Sequence, residues 1–120
     1  MHKIKIGVWD EEIEYVTRLT AFLQKQGKGK WEVMAFTESS NLQEYLRRNS
    51  LDLVIGTDRE ALNLFRSNTD LVKLWLTQDD QNMMSKKNDW YTLYRFQSAE
   101  VIADLVKEIV RKKQQGLEQQ

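Results

Sequence analysis

The strongest constraint on the fold is a regular alternation of short β-type segments with segments of helical periodicity. The run Leu51–Gly56 (LDLVIG) is apolar apart from one aspartate, and such runs are typical of parallel strands that are covered on both faces. Further strands are predicted at 4–9, 31–36, 71–77 and 91–96. Alternation of this kind in a chain of 120 residues predicts one α/β domain with a parallel sheet and helices on both faces.

The number of strands narrows the topology. Five parallel strands in so short a chain indicate the flavodoxin-like order 2-1-3-4-5. Two of the helices have clear apolar stripes, which are Ile13, Val16, Leu19, Phe22 and Leu23 in the first helix, and Val101, Ile102, Leu105, Ile109 and Val110 in the last. Ser98 is predicted to cap the last helix.

Two segments depart from the regular pattern. Thirteen residues separate Thr77 from Tyr91, too few for a crossover that contains a full helix and its loops. The fourth helix is therefore predicted to be a single turn or absent. The chain also becomes polar near its end, so residues 1–112 are predicted to form the domain and 113–120 a linker to a following domain.

Composition excludes several classes of function. The chain has no cysteine and one histidine, His2, which excludes disulfide scaffolds, thiol catalysis and most zinc sites. Its 18 basic and 18 acidic residues balance, so no net charge attracts nucleic acid or anionic lipid. The sequence contains neither a membrane-spanning apolar run nor a secretory signal. We expect a cytoplasmic protein that is not an enzyme.

Polar residues follow most of the predicted strands at their carboxyl ends, where open α/β sheets bind ligands. The candidate pocket consists of Trp9, Asp10, Glu11, Thr57, Asp58, Thr77 and Arg95. Asp10 is also a plausible helix N-cap, and Asp58 a plausible N-cap or first-turn acid. Asp10 and Glu11 are therefore expected either to serve as cap and surface residues or to bind Mg²⁺ weakly, and no other cofactor is expected.

This pattern resembles a response-regulator receiver domain over about residues 3–112. The resemblance implies that Asp10 keeps one position of the magnesium-binding acidic pair, whereas Trp9 replaces the other. It places Thr57, five residues after Asp52, at the position of the phospho-accepting aspartate, and Thr77 at the position of the switch hydroxyl.

The lysine of the receiver pattern falls on Tyr94 or Arg95, and the chain has no proline to follow it. A threonine hydroxyl cannot form an acyl phosphate, so the resemblance implies a degenerate receiver that works without phosphorylation. The alternative is a working phosphoreceiver that uses Asp58 in a shifted register. A flavin- or ligand-binding flavodoxin-like protein is disfavoured, because Asp10 and Glu11 would repel a phosphate at the first loop.

The segment FQSAEVIADLV is similar to the atypical receiver domain of the localisation ATPases of Tad/Flp pilus assembly. That resemblance implies a dimerisation and interaction module that regulates or localises a pilus-assembly ATPase, with a homodimer and a C-terminal ATPase or output domain as partners. Apolar residues in and beside the shortened segment either form the interface or close the core. They are Met83, Met84, Trp90, Tyr91 and Tyr94.

Overall fold

The described part of the chain folds into one sheet with helices on its two faces. The computed structural model describes residues 3–63, 65, 70–78, 84–87, 90–96 and 98–118. The strands are β1 (Ile4–Trp9), β2 (Trp31–Phe36), β3 (Leu53–Gly56), β4 (Val72–Thr77), β5 (Met84–Lys87) and β6 (Trp90–Tyr94). The helices are α1 (Ile13–Gln26), α2 (Ser39–Arg48), α3 (Arg59–Asn63) and α4 (Ala99–Glu118).

The sheet has the order β2-β1-β3-β4-β6-β5. Strands β2, β1, β3, β4 and β6 are parallel, which confirms the predicted five-stranded parallel sheet and its flavodoxin-like order. Strand β5 is an addition that the sequence analysis did not predict, and it pairs antiparallel with β6. It lies in the segment for which a shortened or absent fourth helix was predicted. Two residues separate Lys87 from Trp90, a connection that suits an antiparallel pair but is too short for a parallel crossover.

Strand β3 is buried on both faces, as its continuous apolar sequence predicted. Its side chains alternate between two cores because successive residues of a strand point to opposite sides. One core, the α1/α4-side core, includes Ile6, Val8, Leu19, Leu23, Ile55, Leu74, Ile102 and Val106. The other, the α2/α3-side core, consists of Trp9, Leu42, Leu51, Val54, Leu62, Phe65 and Leu71. Helices therefore cover both faces of the sheet.

The apolar stripes of α1 and α4 are buried as predicted at most positions. Two residues are exceptions, because Ile13 is 65% exposed and Val101 is 40% exposed. Ile13 is the first residue of α1, and the buried residues of this helix begin at Val16. Val101 lies in the first turn of α4 beside the buried Ile102.

Helix α4 continues to Glu118, so residues 113–118 of the predicted linker are helical. The Lys113 ammonium donates to the main-chain carbonyls of Asp52 and Asp70 and lies 3.6 Å from the Asp52 carboxylate. The Asp52 carboxylate also accepts the N–H of Lys5 at 2.9 Å. Lys113 thus binds α4 to the edge of the sheet at which the parallel strands begin. None of the described helices is both long and apolar enough to span a membrane.

Candidate functional site

A polar cleft of about 260 Å³ opens at the carboxyl edge of the sheet. It is lined by Trp9, Asp10, Glu11, Glu12, Thr57, Asp58, Gln78 and Arg95. The structure thus brings together every residue of the candidate pocket except Thr77, because the loops after β1, β3 and β6 meet at this edge. Glu12 and Gln78 were not anticipated, although each lies one or two residues from a residue that was.

Asp10 is at the centre of the cleft. Its side chain is buried, with the residue only 6% exposed. One carboxylate oxygen accepts a hydrogen bond from the Thr57 hydroxyl at 3.0 Å, and the other lies 3.5 Å from the Arg95 guanidinium. The Asp10 N–H donates to the carbonyl of Phe36 at 3.2 Å, so main-chain bonding to β2 continues past the end of β1. The interpretation of Asp10 as the N-cap of α1 is therefore wrong, and Glu12 occupies that position.

Thr57 stands where the receiver pattern has its phospho-accepting aspartate. It follows Gly56, the last residue of β3, and its hydroxyl points at the Asp10 carboxylate. Its carbonyl accepts a hydrogen bond from the indole N–H of Trp75 at 3.2 Å. Hydrogen bonds thus fix both the side chain and the main chain of Thr57, and the atom that faces the Asp10 carboxylate is a hydroxyl oxygen.

Arg95 supplies the positive charge of the cleft. Its side chain is 11% exposed, and its main-chain N–H donates to the carbonyl of Thr77 at 2.7 Å, which fixes the start of the side chain. The guanidinium lies 4.7 Å from the centre of the Tyr15 ring and 5.5 Å from that of Phe96, both within reach of a cation–π interaction. Of the two candidates for the lysine position, Arg95 is the one that faces the acidic residue.

Tyr15 connects the cleft to helix α1. Burial raises the pKa of the Tyr15 phenol above its ordinary value, and the neighbouring Arg95 charge partly opposes this rise. The phenol therefore stays neutral at physiological pH. The Arg95 guanidinium therefore packs on an uncharged ring.

Asp58 lies at the exposed rim of the cleft. Its carbonyl accepts the N–H of Leu62 at 3.1 Å, the bond that opens helix α3, so Asp58 stands at the N-cap of that helix as one interpretation of the sequence predicted. Glu11 is likewise exposed at the rim. The buried carboxylate of the cleft is thus that of Asp10, whereas the carboxylates of Glu11 and Asp58 are exposed.

Trp9 fills space where the receiver pattern has an acidic side chain. It is 5% exposed and belongs to the α2/α3-side core. A Cβ added to Gly56 would lie 3.3 Å from the Trp9 ring, so the absence of a side chain at Gly56 makes room for the indole. Thr77 is 2% exposed and does not line the cleft.

The oxygen ligands that the cleft offers decide whether it fits a divalent cation. Mg²⁺ takes several oxygen ligands in near-octahedral geometry. The described residues include no group of three or more histidine, aspartate or glutamate side chains that could hold a metal ion. Both oxygens of Asp10 already face other groups, and one of these groups is the cation Arg95. The donor set therefore does not fit a magnesium site.

The interface candidates are divided by the structure. Tyr91 is buried in the α1/α4-side core, and Trp90 packs against the α2/α3-side core. Tyr94 is half-buried and meets Phe96 edge to face, with ring centres 5.5 Å apart. Met83 lies outside the described residues, and Met84 is in β5, where side chains are not described. Phe96, which is 65% exposed, was not anticipated, although its position directly after Arg95 marks it as a residue of the same edge.

Comparisons with known proteins address the fold. No protein-family model and no curated protein sequence matches this chain. Among solved structures, the chain is similar to a response regulator receiver domain protein from Clostridium thermocellum, with 17% identity, a TM-score of 0.69 and coverage of 92% of this chain and 97% of that one. It is also similar to the signal receiver domain of an HD domain-containing protein from Pseudomonas fluorescens Pf-5, with 13% identity, a TM-score of 0.69 and coverage of 95% and 99%. The chain has the receiver-domain fold.

Proposed function

We propose that this domain is a receiver-like protein-interaction module that works in the cytoplasm without phosphorylation. One observation carries the proposal. The group that faces Asp10 from the end of β3 is the hydroxyl of Thr57, at 3.0 Å, and not a carboxylate. Acyl-phosphate formation needs a carboxylate oxygen as nucleophile, and an alcohol at this place removes it.

The charges of the cleft support the same conclusion. Phosphoryl transfer is stabilised by cations placed on the phosphoryl oxygens. Arg95 is the cation in the cleft, and it is directed at Asp10 at 3.5 Å. The acidic group and the basic group therefore form an ion pair within the protein, so a metal ion at Asp10 would compete with Arg95 and a phosphoryl group at Arg95 would compete with Asp10.

The alternative function is a phosphoreceiver that uses Asp58. The observation in its favour is that Asp58 lines the cleft. Against it, Asp58 is exposed at the rim and stands at the N-cap of α3, whereas the buried carboxylate of the cleft belongs to Asp10.

Intact-mass analysis after treatment with acetyl phosphate and Mg²⁺ tests the proposal. We expect no phosphoryl adduct on the wild-type chain. Thr57→Asp places a carboxylate beside Asp10 and separates the two reasons given above: an adduct on this variant assigns the loss of chemistry to the missing nucleophile alone, whereas no adduct means that the Asp10–Arg95 pair also prevents it. Asp58→Asn controls for the rim. A stoichiometric adduct on the wild type that Asp58→Asn abolishes would contradict the proposal and establish the alternative.

The partners are proposed from the resemblance. A homodimer and a following ATPase or output domain, with a role in placing a pilus-assembly ATPase, agree with the Gln97-Ser98 step before α4. Ser98 caps this helix as predicted, since its hydroxyl accepts the Val101 N–H at 3.3 Å. Sedimentation of the chain at high micromolar concentration tests the dimer. A dimer that Trp90→Ala dissociates supports an interface at β6, a loss of thermal stability with unchanged mass assigns Trp90 to the α2/α3-side core on which it packs, and a wild-type monomer contradicts self-association.

A further inference from the structure

Strand β2 ends the sheet, and among the described residues no strand pairs with its outer edge. The carbonyl of Lys30, just before β2, accepts the N–H of Ile4, and the carbonyl of Phe36, the last residue of β2, accepts the N–H of Asp10, just after β1. Since the N–H and C=O groups of successive strand residues alternate in direction, the even-numbered residues of β2 face β1. The main-chain groups of Trp31, Val33 and Ala35 therefore face the open edge. An edge of this kind is a template for pairing with another strand.

The side chain of Gln24 occupies part of this edge. Gln24 is an exposed residue of α1, and its amide reaches β2 at two points. Its Nε2 donates to the carbonyl of Trp31, and its Oε1 accepts the N–H of Val33 at 2.9 Å. A carboxamide carries the same donor and acceptor groups as a peptide unit. Gln24 thus makes the two hydrogen bonds that the N–H and C=O groups of a neighbouring strand would make to Trp31 and Val33.

The groups that Gln24 covers are those that a second β2 strand would need. In an antiparallel pair that places Val33 opposite Ala35 of the other copy, Trp31 lies opposite Thr37. Such a pair requires the N–H of Val33 and the carbonyl of Trp31, because hydrogen-bonded residues of antiparallel strands exchange both bonds. Both groups are engaged by Gln24.

The same register is complementary in charge. It places Lys30 of each copy opposite Glu38 of the other, and both residues are exposed. Opposite charges directly across an antiparallel pair stabilise it. Lys30 and Glu38 flank the strand, directly before and two residues after β2, and the backbone of Glu38 is extended, with φ −129° and ψ 135°. Self-pairing thus satisfies the hydrogen bonds and the charges together.

We propose that Gln24 closes the open edge of β2, and that removing its side chain opens this edge to antiparallel pairing with the β2 strand of a second copy of the chain. The occupant of the edge is thus a second copy, and Gln24 is the residue that excludes it. This inference is independent of the proposed function, since it involves neither the cleft nor phosphorylation.

The test compares Gln24→Ala with the wild type by analytical ultracentrifugation at high micromolar concentration. Alanine is the best helix former and the position is exposed, so the fold is retained. We expect the variant to sediment with at least twice the wild-type mass. Gln26→Ala is the matched control, because it removes an amide two residues away that binds Lys107 of α4 instead of β2. It is expected to sediment as the wild type does.

A double variant identifies the surface that associates. Ala35→Pro removes an N–H that faces the open edge and leaves the bonds to β1 intact, which is where proline is tolerated in a sheet. Gln24→Ala combined with Ala35→Pro is expected to return to the wild-type mass. Gln24→Ala at wild-type mass, or a double variant that remains associated, overturns the proposal.

Hydrogen exchange provides a second readout that does not depend on association. At low concentration, where each copy is separate, the Val33 amide in Gln24→Ala loses its acceptor and is expected to exchange about tenfold faster or more. The amide of Met34, which faces β1, is expected to keep its rate. An unchanged Val33 rate means that Gln24 does not close the edge in solution and overturns the proposal.

Discussion

Replacing Arg95 by methionine tests whether the cleft is held together by its own charges. The guanidinium lies 3.5 Å from the Asp10 carboxylate, and the two side chains are 11% and 8% exposed. Methionine keeps most of the length of the side chain and its apolar contacts. The substitution therefore removes the charge of Arg95 while the packing around it changes little.

The expected loss of stability follows from the burial of Asp10. Removing one partner of a buried ion pair costs about 3–5 kcal/mol, because the remaining charge is left without compensation. Asp10 keeps the hydrogen bond from Thr57, so we expect the lower value, about 3 kcal/mol in the free energy of unfolding. For a domain of this size that corresponds to a fall in Tm of about 12 °C. An exposed pair would contribute less than about 1 kcal/mol.

Urea denaturation of four chains measures this effect. They are the wild type, Arg95→Met, Arg95→Lys and the double variant Asp10→Asn with Arg95→Met. The double variant removes both charges and is expected to recover to within about 1 kcal/mol of the wild type. Arg95→Lys keeps the charge but not the planar fork and is expected to lie between. A loss below about 1 kcal/mol in Arg95→Met, or a double variant no more stable than the single one, would refute the argument.

Three further results are expected. Mg²⁺ at physiological concentration leaves the Tm unchanged, because Asp10 is already paired, and a rise in Tm that Asp10→Ala abolishes would contradict this. Lys113→Met lowers the free energy of unfolding by about 1–3 kcal/mol in urea titration, since the Asp52 carbonyl loses a charged donor. Gly27→Ala, with a Cβ 2.5 Å from the Trp31 side chain, lowers it by about 1–3 kcal/mol through overpacking, and unchanged stability would show that Trp31 moves aside freely.

The sequence predicted the parallel sheet because the signals for its strands are local. Leu53–Gly56 is apolar throughout, and the neighbouring strand β1 is followed by helix α1, whose apolar stripe has a period of 3.6 residues. Strand β5 carried no such signal, since Met84–Lys87 is a four-residue segment that contains two lysines. Its pairing depends on β6 beside it, which is a tertiary contact.

The sequence predicted which residues lie at the candidate site, but it did not predict which of them contact each other. Topology places the carboxyl ends of the strands at one edge, which is why Asp10, Thr57 and Arg95 were found together. The choice between Tyr94 and Arg95 could not be made, because neighbouring residues of a strand face opposite sides and the register was unknown. The reach of Gln24 to the edge of β2 was also hidden, since it depends on where α1 packs.

The pairing of Asp10 with Arg95 also bears on how such a domain can be regulated. A ligand shifts a conformational equilibrium only by its differential affinity for the two states. In this cleft the positive charge that faces Asp10 belongs to the protein itself, so its presence does not vary with the concentration of a metal ion or with phosphorylation.

Under the proposed function, any change of state therefore has to come from contacts at the surface. Among the described residues, the two most exposed large apolar side chains, Ile13 and Phe96, lie at the same edge as the cleft, and Phe96 contacts Arg95. A partner that covers Phe96 would thus act next to Arg95, the residue that pairs with Asp10.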